Sequence, residues 1–224
     1  MSLLKSNSVQ IGQSATATQN FTLSVPSSPD GTIKLARGNS GATTADILSV
    51  SSTGAITGAT INGGAITSAT AQATTSGTAI DFTGIPSWVK RVTLMLRGVS
   101  TSGTSTPWLI QLGDSGGIEI TDYLSAGGRI ATATASAVNS TAGFSISVNN
   151  AASNTIHGSM AITLIDSSNN SWVASGAFAN SAAADSFVAA GSKSLSATLD
   201  RVRITTSGGT DTFDAGSVNI LYEG

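Results

Sequence analysis

Val92-Thr93-Leu94-Met95-Leu96-Arg97 alternates with a period of two, so that Val92, Leu94 and Leu96 share one face. Only a β-strand sets every second side chain on the same side. The pattern recurs outward from this run. Trp108, Ile110 and Leu112 repeat it, and Phe144, Ile146 and Val148 alternate with Ser145, Ser147 and Asn149. Met160, Ile162 and Leu164 follow, then Val202 and Ile204, and finally Val218, Ile220 and Tyr222. Gly, Ser and Asn clusters separate the runs, as turns separate strands. About eight such strands across 74–224 predict an all-β domain, an antiparallel β-sandwich of jelly-roll-like character. The Ala-rich stretches 131–142 and 177–191 come nearest to helices, but their embedded Ser, Thr, Asn and Gly point to loops or strands.

Upstream, the texture changes twice. Residues 48–73 carry a repeat in which Ile56, Ile61 and Ile66 recur every five residues, each followed by Thr or Asn, with Gly between them. So short a repeat cannot bury a core within one chain. The spacing fits β-strands of several chains winding about a shared axis, where glycine permits close approach. A flexible Gly/Ala/Thr linker with incidental isoleucines is the competing reading. Residues 1–47 alternate short β-prone runs such as Phe21-Thr22-Leu23-Ser24-Val25 with turn material such as Pro26-Ser27-Ser28-Pro29-Asp30-Gly31. Large apolar residues are sparse there, so this zone is expected to order by packing on identical copies or on a partner. The expected organisation is an N-terminal β region (1–47), a short shaft (48–73) and a C-terminal sandwich (74–224).

Composition limits the function classes. Of 224 residues only 10% are charged, 40% are hydrophobic and the formal net charge is −2. Disordered chains combine high charge with few apolar residues, so disorder is not expected. Low charge also means little repulsion between copies, which favours assembly. There is no cysteine, hence no disulfide or thiolate chemistry. The opening Met1-Ser2-Leu3-Leu4-Lys5-Ser6-Asn7-Ser8 lacks the apolar stretch of a signal peptide, so synthesis and assembly in the cytoplasm are expected. No run approaches the roughly 20 apolar residues of a membrane helix. Ten basic against twelve acidic residues give no sign of a nucleic-acid partner.

The inventory of chemical groups is thin. His157 is the one histidine and reads as a strand-end or turn residue. Asp114, Glu119 and Asp122 lie close in sequence, and paired carboxylates can cut glycosidic bonds, but spacing alone does not set two of them across a sugar. Gly113-Asp114-Ser115-Gly116 is read as a hairpin turn rather than a nucleophile loop. Asp211 and Asp214 offer oxygen ligands for calcium, or simply the side chains a tight turn needs. No catalytic residue, cofactor or metal ligand is assigned. Trp88 is expected to close one end of the core. Trp108 and Trp172 stand beside turns and suit either the core or a sugar-stacking platform.

Several segments together resemble bacteriophage virion fibre proteins. Ser8-Val9-Gln10-Ile11-Gly12-Gln13-Ser14-Ala15-Thr16-Ala17-Thr18-Gln19-Asn20-Phe21-Thr22-Leu23 and Asp30-Gly31-Thr32-Ile33-Lys34-Leu35-Ala36-Arg37-Gly38-Asn39 look like their N-terminal regions. Ile80-Asp81-Phe82-Thr83-Gly84-Ile85-Pro86-Ser87-Trp88 and Thr210-Asp211-Thr212-Phe213-Asp214-Ala215-Gly216 are similar to their distal knob domains. The resemblance implies a homotrimer attached to other virion proteins, of tail or capsid, through the N-terminal region. It implies that the knob meets a host-surface glycan or outer-membrane protein. A tail fibre is the first expectation and a head fibre or capsid decoration the second; a polysaccharide-cutting tailspike lacks its long β-helix here. Loop residues around Trp108, Asp114 and Trp172 are the expected receptor contacts, and Ile56, Ile61 and Ile66 the expected trimer shaft.

Overall fold

The structure, a computed structural model, describes residues 8–16, 19–25, 32–39, 42–50, 52, 56–58, 66–104, 107–146 and 151–224, with the backbone alone at 38–39, 42–47 and 56–58. The chain divides into two units, Met1–Asn62 and Gly63–Gly224. In the first, β1 (Ser8–Ile11), β2 (Phe21–Ser24), β3 (Ile33–Asn39), β4 (Ala42–Val50) and β5 (Ile56–Gly58) form one antiparallel sheet in chain order. Asn20 braces the first connection, its Oδ1 accepting from Ser14 N at 2.9 Å while its Nδ2 donates to Ser14 O at 2.7 Å. Among its described side chains only Ala36 is a buried hydrophobic, while Val9, Ile11, Phe21, Leu23 and Ile33 are exposed.

The isoleucine repeat is shared between the units. Ile56 lies in β5, opposite Val50. Ile61 lies outside the described residues, and Ile66 belongs to the second unit with an exposed side chain. The later part of the expected shaft supplies β6 (Thr67–Ser68) and β7 (Gln72–Ala73), both paired with the C-terminal strand β19 (Phe213–Glu223). An open sheet edge offers unpaired N–H and C=O groups, and these short strands satisfy it.

The second unit is a pair of antiparallel sheets. The smaller holds β8 (Ala79–Thr83), β10 (Trp108–Asp114), β11 (Gly117–Ile118), β14 (Phe144–Ser145) and β18 (Arg201–Thr206). Its order is β11-β10-β18-β8, with β14 also on β10. The larger adds β9 (Arg91–Thr101), β12 (Leu124–Ile130), β13 (Ala135–Ser140), β15 (Ile156–Asp166), β16 (Ser171–Asn180) and β17 (Asp185–Ser194). Its order is β13-β12-β17-β16-β15-β9-β19-β6, and it curls toward a half-barrel. Strands β15, β16 and β17 follow one another as a meander within this sheet, where a jelly roll crosses between sheets at most turns.

One apolar core lies between the sheets. Val92, Leu94 and Leu96 enter it from the large sheet; Trp108, Ile110, Leu112, Val202 and Ile204 enter from the small one. Each such fully buried aliphatic side chain stabilises the fold by about 1.5–3 kcal/mol. Trp108 meets Phe213 edge-on, with centroids 5.9 Å apart, and Tyr123 meets Phe144 likewise at 5.2 Å. The stretches 131–142 and 177–191 supply strand β13, the end of β16 and most of β17. Gly127 of β12 faces inward against β14 of the other sheet: a Cβ there would sit 2.5 Å from the Ser145 carbonyl oxygen. Glycine is needed for that approach.

The unit has two ends. β6, where the chain comes in, pairs with Leu221 and Tyr222, and the same end holds Trp88, Asp114, Asn170 and Gly224; we call it proximal. The described turn residues 74–78, 102–104, 131–134, 151–155, 181–184 and 207–212 gather at the opposite, distal end.

Candidate recognition surface

Trp108, Trp172 and Asp114, the expected receptor contacts, are instead buried. Trp108 is 0% exposed and Trp172 2%. Both indoles project from alternating strands into the sandwich, because each replaces an aliphatic residue in the period-two face rather than belonging to the neighbouring turn. Neither indole N–H has an acceptor among the described residues. Trp88, half-buried, packs against the core and tilts on Tyr222 at 5.9 Å, in the end-closing place the sequence indicated.

Asp114, 5% exposed, belongs to a polar knot at the proximal end. Its carboxylate accepts from Gly116 N at 2.7 Å and from Ser196 Oγ at 2.6 Å. The Ser196 and Gly116 bonds hold it below the usual carboxylate range. Glu119 accepts from Ser196 N at 2.7 Å and pairs with Lys193 Nζ at 2.5 Å. Burial works to raise Glu119, but the Lys193 ammonium and Ser196 outweigh it, and the carboxyl is held low. The Lys193 ammonium also lies 5.4 Å above the Tyr123 ring, and the Tyr123 hydroxyl takes an N–H from Leu112 at 2.6 Å. Burial pushes that phenol up. Asp122 lies apart, with a positive φ of 61° and a bond from Thr121 Oγ1. The three neighbouring acids thus have three different structural jobs, and neither Asp114 nor Glu119 is tuned to carry a proton near neutrality.

At the distal end a second polar network braces the loops. Asn180, 4% exposed, closes β16; its Oδ1 accepts from Thr155 N and Ala182 N, both at 3.0 Å. Its Nδ2 donates to Asn154 Oδ1 at 2.8 Å. One amide therefore ties the 151–155 and 181–184 turns together, and Ser181 N adds a bond to Thr155 O at 2.9 Å. His157 extends the network, accepting from Gly98 N at Nδ1 (3.2 Å), which leaves Nε2 to donate to Ser181 Oγ (3.2 Å). The strand-end reading of His157 matches this place. Sequence reasoning passed over Asn180, whose signal is an Asn directly before a Ser-Ala-Ala-Ala turn, able to cap its own backbone two residues on.

The neighbouring pair of distal loops is joined by Ser102 N donating to Thr212 O at 2.8 Å and Thr212 N to Ser102 Oγ at 3.3 Å. Asp214 accepts from Ser100 Oγ, and the Asp211 carboxylate lies against Gly103. Among the described residues no three His, Cys, Asp or Glu side chains converge as a metal cage. The distal end therefore presents short, mutually braced turns rich in Ser, Thr, Ala and Gly. Such turns supply hydroxyl and backbone hydrogen-bonding groups on a rigid scaffold, the usual setting for a recognition surface. No protein-family model, curated protein or solved structure matches the chain.

Proposed function

We propose that this chain is a non-enzymatic protomer of a bacteriophage tail fibre, a homotrimer held on the virion by its N-terminal region and touching the host surface with its C-terminal unit. The observation that carries the reading is the polarity of that unit: the chain comes in at the proximal end and the braced loops gather at the distal end. That arrangement suits a knob carried on a stem, with its contact loops facing outward. Two further features support it. Asp114 and Glu119 are occupied in structural bonds, so the proximal acids serve architecture. The first unit leaves Val9, Ile11, Phe21, Leu23 and Ile33 exposed, as expected of a sheet completed by other copies or another virion protein.

In this reading receptor contact belongs to the distal turns, not to Trp108, Asp114 and Trp172, and its chemistry is hydrogen bonding to a glycan or to an outer-membrane protein. Immunogold labelling of intact particles with antibody against residues 74–224 tests the placement. Gold at the tail is expected. Gold on the capsid would replace the tail fibre with a head fibre, and particles without label would contradict the virion reading.

A further inference from the structure

The large sheet has a face that the core does not use. Its cross-strand rows follow from the register. One reads Asn139, Ala126, Ala190, Ser175 and Ala161 across β13, β12, β17, β16 and β15. The next reads Ala137, Gly128, Val188, Ala177 and Ser159 over the same strands. Neither row holds a charge; charge enters this face at its margins, with Asp166 at the end of β15 and Arg91 and Arg97 in β9. Large apolar side chains stand out around these rows: Leu124 is 75% exposed, Ile130 61%, Val188 54% and Val173 40%. The close approach of Gly127 to Ser145 draws β12 inward, and the surface above it is a shallow trough lined by Ala126, Gly128, Ala137, Val188 and Ala190.

We infer that this uncharged face is where the C-terminal units of separate copies meet. The inference rests on the multi-copy reading of the chain and adds the surface through which copies associate. Three points favour a second copy as the occupant. A face without charge has nothing with which to select a partner of opposite sign, and it brings no like-charge repulsion against itself. Its relief holds both halves of a head-to-tail contact, since the exposed Leu124 and Val188 side chains of one copy can face the Ala/Gly trough of the next and so close a ring of three. Its extent is adequate too. Five strands about 4.8 Å apart and about seven residues long at about 3.4 Å each span roughly 570 Å². That approaches the roughly 800 Å² per partner of a standard interface and lies at the upper end of the largest apolar patches on monomers.

The chain has no cysteine, so single introduced thiols report on this face cleanly. Ser175→Cys places a thiol at its centre, and Thr83→Cys places one at an exposed position of the small sheet. Maleimide alkylation of both full-length variants, with the mass of each sample measured in parallel, is the test. An oligomer in which Ser175→Cys reacts at least tenfold more slowly than Thr83→Cys is expected. Adding Ala190→Glu to Ser175→Cys should restore fast labelling without changing the far-ultraviolet circular dichroism. An oligomer whose two thiols react alike, or one in which Ala190→Glu leaves protection intact, overturns this inference and leaves the fibre reading standing. A monomer overturns both, and a protected thiol in a monomer would mean that the chain covers its own face.

Discussion

Lys193 Nζ stands 2.5 Å from Glu119 Oε2 at a site where the lysine side chain is only 3% exposed. Removing one member of so enclosed a pair leaves the other charge without compensation. Glu119→Gln is therefore expected to destabilise the second unit by about 3 kcal/mol, read from urea denaturation. Replacing both members with apolar residues of similar volume should cost much less.

The same knot sets an acid limit. Asp114 and Glu119 are held below their ordinary values of 3.8 and 4.5, so on acidification the unfolded chain takes up these protons before the folded one. Their stabilising contribution is then complete above about pH 5 and is lost as the pH falls through the ordinary values to the lowered folded ones. Melting temperature against pH should drop over that window in the native chain, and Asp114→Asn should flatten the drop.

Trp108 and Trp172 behave in this account as core residues. Each changed to Ala should cost about 3–5 kcal/mol in denaturant unfolding, with any loss of cell adsorption tracking the fraction unfolded. Adsorption that vanishes at full folded stability would return these residues to the recognition surface.

Gly127 allows the two sheets to touch. Gly127→Ala sets a methyl 2.5 Å from the Ser145 carbonyl oxygen and should destabilise by about 1–3 kcal/mol, whereas Gly128→Ala, whose Cβ meets Val188 at 3.5 Å and the Ser136 carbonyl oxygen at 3.9 Å, both ordinary contacts, should be nearly neutral in the folded unit. The pair is compared by thermal melting.

Asn180 is the brace of the distal turns. Asn180→Ala strips acceptors from Thr155 N and Ala182 N and should cost about 2–3 kcal/mol. Amide exchange should quicken first at those two positions.

The strands that the sequence announced are those with a polar or mixed outer face. Val92, Leu94 and Leu96 alternate with Thr93, Met95 and Arg97, and β9, β10, β15, β18 and β19 follow that rule. β12, β13 and β17 were hidden because Ala, Gly and Ser interrupt their larger residues on both faces, which blurs the period-two contrast and offers little β-propensity. Their charged residues, Arg129, Asp185 and Lys193, all lie in the alternation that faces the core, and their outer faces carry none. The candidate site was less legible. Trp108 and Trp172 sit beside turns in sequence, yet one residue of register decides whether such a side chain faces solvent or core. Asp114 and Glu119 lie close in sequence, but their partners Lys193 and Ser196 lie more than seventy residues away.

The sedimentation-equilibrium mass of the purified protein decides whether the chain works as one of three copies. A trimer has three times the 22.2 kDa chain mass, unchanged on dilution through the micromolar range. A single species at the mass of one chain would contradict it.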